Sequence, residues 1–426
     1  MAVKRTPEQE EVVKNRGGAL LVSAAAGSGK TRVLVERLMD YILQEGRNID
    51  EFLIITFTRA AAEELRARIA KEIAEALAAQ PDHAHLRQQT VRLYETQIST
   101  IHAFCTVLLR QWGHLLDIPG DFALCEDEEA QVLMTRTLNQ VLEARYEEID
   151  PTGPFARLLD VLSKGRDDSR LLEITLDIYG KIQSYPDPLA WLASQREALD
   201  LSAVTDVGQT PWGSLLLEEA GQTAAYWADQ MARACDLTQK EAGLEKAYGD
   251  SLQATRRSLE AFVQAAGTSW DEAARVEIVF PKLKAARGVE DPALQEQIKS
   301  IRARCKKAVE ELTQTVSGPS APLLADMALV YPAMLGLLDL VEDFSRAYEA
   351  AKKQRSLLDF SDLEHLAVRL LVDEAGGPTP LARQWGARYT EIMVDEYQDT
   401  NQVQNTIFQA VSQEGRNLFM VGDVKQ

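Results

Sequence analysis

The chain has 426 residues, 46% of them hydrophobic, enough for two or three domains with cores of their own and too much for a disordered chain. Its net charge of -19 and pI near 4.9 exclude the overall basic footprint of a protein that neutralises phosphates along its whole surface. The surplus acid is local: Lys+Arg against Asp+Glu is 15 to 14 in residues 1–110, 23 to 40 in 111–350 and 8 to 11 in 351–426, so the nearly neutral ends can present a basic groove.

The opening MAVKRTPEQEEVV lacks the apolar centre of a signal peptide. No uninterrupted apolar run approaches a membrane span, so a cytoplasmic chain without membrane contact is expected. In TPEQ, Thr6 as N-cap, Pro7 at the first helical position and Gln9 three residues after the cap form a capping box. A buried strand, ALLVS (19–23), then leads into SAAAGSGKT (23–31). The P-loop pattern G-x-x-x-x-G-K-[ST] asks for glycine where Ala24 stands, and the alternative is a plain strand-to-helix turn.

The context favours a phosphate cradle, because a helix carrying Val33, Leu34, Leu38 and Ile42 follows directly. Ala26, Gly27, Ser28, Gly29, Lys30 and Thr31 are then the nucleotide-holding residues. The two glycines let backbone amides turn inward, Lys30 reaches the β and γ phosphates, and the Thr31 hydroxyl ligates Mg2+.

FLIITF (52–57) and QISTI (97–101) read as further buried strands. Between them Leu65, Ile69, Ile73 and Leu77 recur every fourth residue on one face of an amphipathic helix. This alternation predicts an α/β fold: a parallel sheet with flanking helices. His83 and His85, beside Pro81, read as solvated loop residues. From about Phe104 to about Gln354 the strand runs stop and Leu, Ala, Glu, Arg and Gln dominate, which predicts an inserted, acidic, all-helical domain. Within it EDEE (126–129) reads as a solvated helix start. The four cysteines, Cys105, Cys125, Cys235 and Cys305, have no C-x-x-C pairing and read as free thiols.

The α/β pattern returns after the insertion. SDLE (361–364) reads as another capping box, and EIMVD (391–395) and NLFMVGD (417–423) as two strands flanking a helix that begins near Asn401. The expected division is therefore 1–105 and 355–426 as one discontinuous core around an insertion at 106–354. In IMVDEYQDTN (392–401) the strand-end Asp395 is placed to hold magnesium through water, and Glu396 to polarise an attacking water. The alternative is an acidic loop at a strand end.

Taken together, TPEQ, AAAGSGKT, TFTRAAAEELRARI, STIHAFC, LLDFSDL, VDEYQDTN and VGDVKQ stand in the order found in superfamily 1 helicases of the UvrD and RecB type. The chain most resembles the N-terminal part of the AddA family of helicase–nuclease subunits. The likeness is strong at both ends; in the middle it is one of helical character only. It implies a RecA-like P-loop core, ATP and Mg2+ as cofactors, single-stranded and duplex-end DNA as partners, and an AddB-like partner subunit in the full-length protein. It also implies 3'-5' movement along one strand in double-strand break processing.

Residue by residue, the resemblance implies that Gln9 contacts adenine, a role compatible with capping, and that Arg32 packs on the base. Phe57, Thr58 and Arg59 match positions that touch single-stranded DNA, and His102 lies in a second such segment. Gln398 and Gln426 match glutamines that sense the γ phosphate. Arg59 replaces the asparagine common in that segment. The sequence given ends at Gln426, inside the third of the family's motifs, so this chain alone is expected to hydrolyse ATP poorly, without the arginines of a second core, and not to cut DNA. A repair helicase of the UvrD or Rep type without nuclease, or a non-catalytic truncated interaction protein, stays open as an alternative.

Overall fold

A computed structural model describes residues 5–25, 27–163 and 168–423. Among these the elements run α1 (Pro7–Lys14), β1 (Leu20–Ser23), α2 (Lys30–Gln44), β2 (Phe52–Thr56), α3 (Arg59–Ala79), α4 (Ala84–Arg92), β3 (Gln97–Thr100) and α5 (Ile101–Trp112). The middle holds β4 (Ala123–Leu124), α6 (Asp127–Glu147), α7 (Pro154–Leu162), α8 (Ser169–Ile182), α9 (Pro188–Leu199), α10 (Pro211–Thr238), α11 (Ala242–Ala266), α12 (Trp270–Arg275), α13 (Pro292–Thr315) and α14 (Ser320–Gln354). The chain continues with β5 (Leu357–Leu358), α15 (Phe360–Leu371), α16 (Pro380–Gly386), β6 (Glu391–Val394), α17 (Gln402–Val411) and β7 (Leu418–Gly422).

Contacts divide the chain into two compact units: residues 1–148, 165–191 and 340–426 form one, and residues 149–164 with 192–339 the other. The first unit carries a five-stranded, all-parallel sheet in the order β1-β7-β6-β2-β3. Strands from the two ends of the chain thus build one sheet, with β6 and β7 lying between β1 and β2. A small parallel pair, β4 with β5, completes the strands of this unit.

Side chains alternate across the sheet as pleating requires. Phe52 and Ile54 of β2, Met393 of β6 and Phe419 and Val421 of β7 join Leu34, Leu38 and Ile42 of α2 and Leu65, Ile69 and Ile73 of α3 in one core. Leu53, Ile55, Ile392, Val394, Leu418 and Met420 point the other way, onto α5, α15 and α17. Helices cover both faces, which is why the central strands read as unbroken apolar runs. The unit extends beyond residue 105, where composition places a boundary, because α5 follows directly from β3 and sends Phe104, Cys105, Leu108 and Leu109 into the same core as β2 and β6.

The second unit is helical among its described residues. Its core is formed by Ala224, Ala228 and Met231 of α10, Leu244, Leu252 and Leu259 of α11 and Ile298, Cys305 and Val309 of α13. The Asp206 carboxylate ties its ends together by accepting from the backbone nitrogens of Gly208, Trp270 and Asp271 and from the Ser320 hydroxyl.

Three local readings change. The cap of α15 is Asp359, not Ser361: Asp359 accepts from the Asp362 nitrogen and Asp362 from that of Asp359, at 2.9 Å each. A carboxylate at each end of this box, both held by Lys352, outcompetes a serine two residues later. His83 is the N-cap of α4 and His85 lies inside that helix, so neither is a free loop residue. Finally, α14 holds an 18-residue window of mean hydropathy 1.7, long and apolar enough to cross a membrane by length and composition, though one third of it is buried within the protein.

Candidate functional site

The sheet's C-terminal edge gathers the chemistry. Each of the five parallel strands delivers its following loop to that edge, where open α/β sheets bind ligands. After β1 the chain turns through Gly27 at φ 78 and Gly29 at φ 88, left-handed conformations that a side chain would strain. Gly29 is the N-cap of α2 and offers no side-chain cap, so the first-turn amides of this 15-residue helix have no side-chain acceptor of the usual kind. The loop is tied to the sheet by the Ala24 nitrogen, which donates to the Gly422 oxygen of β7 at 3.0 Å.

Thr31 and Asp395, separated by 364 positions in sequence, meet here: the Thr31 hydroxyl donates to Asp395 Oδ2 at 3.1 Å. The Lys30 side chain is only 9% exposed, and its Nζ lies 3.5 Å from Glu396 Oε2. Burial pushes the Asp395 carboxyl above its usual range; the adjacent Glu396 adds to this, while the Glu396 nitrogen, the Thr31 hydroxyl and the Lys30 ammonium oppose it. Glu396 has a left-handed backbone, φ 54, which a non-glycine residue adopts at a cost of order 1–3 kcal/mol.

Gln398 links this carboxylate to the next strand. Its Nε2 donates to Glu396 Oε2 at 2.7 Å, and its Oε1 accepts from the Asp423 nitrogen at 2.9 Å, just past β7. The close approach depends on Gly422, where an added Cβ would stand 2.9 Å from Gln398 Oε1. Sequence reading singled out Gln398 but not Gly422, since only the paired fold shows what that glycine faces.

The glutamine of TPEQ caps its own helix and also reaches the glycine-rich loop. The capping box is formed, with the Gln9 nitrogen 3.3 Å from Thr6 Oγ1 and the Thr6 nitrogen 3.1 Å from Gln9 Oε1. The remaining amide nitrogen donates to the Ser28 oxygen in the glycine-rich loop at 3.2 Å. Arg32, one residue after Thr31, donates through Nε to Glu36 at 2.6 Å, and Arg5 shares that carboxylate. Ala26 and Gln426 lie outside the described residues.

The remaining residues singled out in the sequence follow β2 and β3 at the same edge. Phe57 is 46% exposed immediately after β2, an unusual position for a large aromatic ring. Thr58 caps α3 by accepting from the Ala61 nitrogen at 3.0 Å, and exposed Arg59 opens that helix. His102 sits in the first turn of α5, after Thr100 of β3. The nucleotide-loop residues, Asp395, Glu396, Gln398 and Gln9 thus form one cluster, with Phe57, Thr58, Arg59 and His102 beyond the neighbouring strands.

The residues present suit a magnesium ion. Two adjacent ligands of octahedral magnesium at ~2.0–2.1 Å stand roughly 2.9 Å apart, close to the Thr31–Asp395 oxygen separation of 3.1 Å. Both donors are oxygens, as this hard cation prefers, and a buried carboxylate resisting ionisation gains most from a cation.

A parallel sheet with a glycine-rich loop opening a helix, faced by strand-end carboxylates, defines a RecA-like core of the P-loop class. The chain belongs to the UvrD/REP helicase N-terminal domain family, whose family model matches residues 5–426. It is similar to the AddA-type ATP-dependent helicase/nuclease protein of Lachnoclostridium phytofermentans, 37% identical over 436 residues, covering 99% of this chain and 31% of that protein. The corresponding protein of Heliobacterium modesticaldum is 37% identical over 450 residues, covering 99% and 32%. That of Geobacillus thermodenitrificans is 37% identical over 436 residues, covering 99% and 35%. The chain therefore spans about a third of the length of these curated relatives.

Proposed function

We propose that this chain is the ATP- and single-stranded-DNA-binding part of an ATP-dependent DNA helicase. The observation that carries the reading is the meeting of Thr31 with Asp395 at 3.1 Å beside Lys30 and Glu396, which brings the phosphate loop and the strand-end carboxylates into one site. Lys30 would leave Glu396 for the β and γ phosphates, and the α2 amides would take the remaining phosphate oxygens. Thr31 and Asp395 would hold Mg2+, directly or through water. When bound, that ion neutralises phosphate charge.

Glu396, once released by Lys30, is free to orient and polarise a water for attack on the γ phosphate. Gln398 bridges Glu396 to the segment after β7, so a shift of that carboxylate is passed along the strand ends. Gln9, held at the loop, presents its amide to the base, with Arg32 alongside. Phe57, Thr58, Arg59 and His102 would take single-stranded DNA, with Phe57 as a stacking platform for a base. For the longer protein the reading extends to 3'-5' translocation from duplex ends in double-strand break repair, alongside an AddB-like partner subunit, in the cytoplasm.

The test is magnesium-dependent binding of a fluorescent ATP analogue to the chain, with Lys30→Ala as control. Saturable binding weakened about tenfold or more in the variant supports the site. Equal affinity of wild type and variant, both folded, would refute it.

A further inference from the structure

Glu364 is a buried carboxylate that the nucleotide chemistry leaves without a task. It lies on α15, 4% exposed, and a charge so placed needs close polar partners. Two side chains from two other helices supply them, both at the same oxygen. Gln404 Nε2 of α17 donates to Oε1 at 2.8 Å, and His102 Nε2 of α5 stands 3.1 Å from it.

The three groups differ in what they face. Gln404 is buried, and its own backbone nitrogen is held by Asn401 Oδ1 at 2.8 Å, at the end of the segment that carries Asp395 to Gln398. His102 keeps 37% of its side chain exposed, with its ring centroid 5.0 Å from that of Phe360. The carboxylate is thus anchored on its inner side and grips the imidazole on its outer side. An ionised carboxylate can only accept, so Nε2 carries the hydrogen shared with Oε1 and, in the neutral ring, Nδ1 is the nitrogen left for a ligand.

We propose that Glu364 is a positioning residue for single-stranded DNA: it fixes the ring plane and tautomer of His102, so that one defined nitrogen and one ring edge meet the strand. This rests on the reading of His102 as a DNA contact. A carboxylate serving the core alone would need no partner at the surface, whereas here a solvent-facing ring is held to a buried anchor. Nothing in the local spacing of LLDFSDLEHLAV points to His102, since the two residues stand 262 positions apart.

The experiment measures affinity of the 426-residue chain for a fluorescent oligothymidylate by anisotropy. The variants are His102→Ala, Glu364→Ala, the double variant and Glu364→Gln, with binding of the ATP analogue followed in parallel. Each alanine variant is expected to weaken DNA binding about tenfold, and the double variant no further, because the two residues act through one contact. Glu364→Gln keeps an acceptor oxygen and should stay within about twofold of wild type.

Nitrogen-15 histidine NMR, practical with five histidines, should show the hydrogen of His102 on Nε2 in the wild type. Additive losses in the double variant, or wild-type DNA affinity in folded Glu364→Ala, would overturn the proposal. So would a wild-type His102 protonated only on Nδ1, a result that decides the matter even if Glu364→Ala does not fold. Unchanged DNA affinity in His102→Ala would overturn the DNA reading of His102 together with this proposal, while intact ATP-analogue binding would leave the nucleotide site standing.

Discussion

Arg37 of α2 and Glu391 at the start of β6 form a buried two-point ion pair, with Nε–Oε2 at 2.8 Å and Nη2–Oε1 at 2.5 Å. The third arm of the guanidinium donates to the Val12 oxygen of α1 at 2.5 Å, and the Tyr41 hydroxyl lies 3.1 Å from Glu391 Oε1. One arginine therefore binds the helix of Gln9, the helix of Lys30 and the strand of Asp395 to one another. Burial, with the neighbouring Glu391 charge, pushes the Tyr41 hydroxyl up to about 12.

Removing one member of this pair should be costly. Arg37→Ala strands the Glu391 carboxylate in the core and is expected to destabilise the fold by about 3–5 kcal/mol. Urea unfolding of the variant checks this. The double variant Arg37→Met, Glu391→Leu should lose clearly less than the two single changes combined, since no unpaired charge then remains.

Asp395 should trade stability for function. Its folded carboxyl titrates above the unfolded value, so its contribution is most favourable at acid pH and is lost as pH rises through the raised folded pKa. At neutral pH Asp395→Asn is therefore expected to raise the thermal midpoint of the nucleotide-free chain, while weakening the magnesium dependence of ATP-analogue binding about tenfold or more. A fall in both, measured by calorimetry and titration, would contradict this account.

Lys352, buried on α14, donates to Asp359 at 2.7 Å and to Asp362 at 2.6 Å, one ammonium for two carboxylates. Burial and the neighbouring Asp359 push the Asp362 carboxyl up to about 6, against the pull of Lys352. For Asp359, burial raises the pKa, but Lys352, the Asp362 nitrogen and the Tyr348 hydroxyl together outweigh it, and the carboxyl titrates low. Asp362 thus contributes stability that is full below about pH 4 and lost as pH rises through about 6, whereas Asp359 contributes stability that is lost in acid. Asp359→Asn should accordingly cost more than Asp362→Asn at pH 7, with the gap narrowing toward pH 5. Parallel denaturation series at the two pH values provide the comparison.

Phe57→Ala should separate binding from folding. The ring is nearly half exposed, so its loss should change stability by less than ~0.5 kcal/mol. Oligothymidylate affinity should fall by ~1–3 kcal/mol if a base stacks there. Anisotropy and urea unfolding on one preparation give both numbers.

The central strands were legible because burial on both faces turns β2, β6 and β7 into unbroken apolar runs, and the loop at Gly27 to Thr31 because its spacing is a local property. The pairing of Thr31 with Asp395 could be expected from a glycine-rich loop opening a helix and a carboxylate at the end of another strand. The cap at Asp359 was not legible, because Lys352 strengthens it through tertiary contact. Arg37 with Glu391 and His102 with Glu364 were hidden for the same reason: sequence patterns report which face of an element is apolar, not which polar side chains meet across elements. Gly422 looked like an ordinary strand-end residue until Gln398 was seen against it.

The strand order has a temporal consequence. Among the described residues β1 pairs with β7 alone, and on the order of 400 residues separate them, so a chain emerging from the ribosome at ~5–20 residues per second carries this strand without that partner for on the order of tens of seconds. The β2–β3 pair can form early, but the glycine-rich loop is tied to the sheet through Ala24 only once Gly422 arrives to receive its amide. Nucleotide affinity should therefore be among the last properties a nascent chain acquires, because closing so long a loop must precede the contacts that reward it.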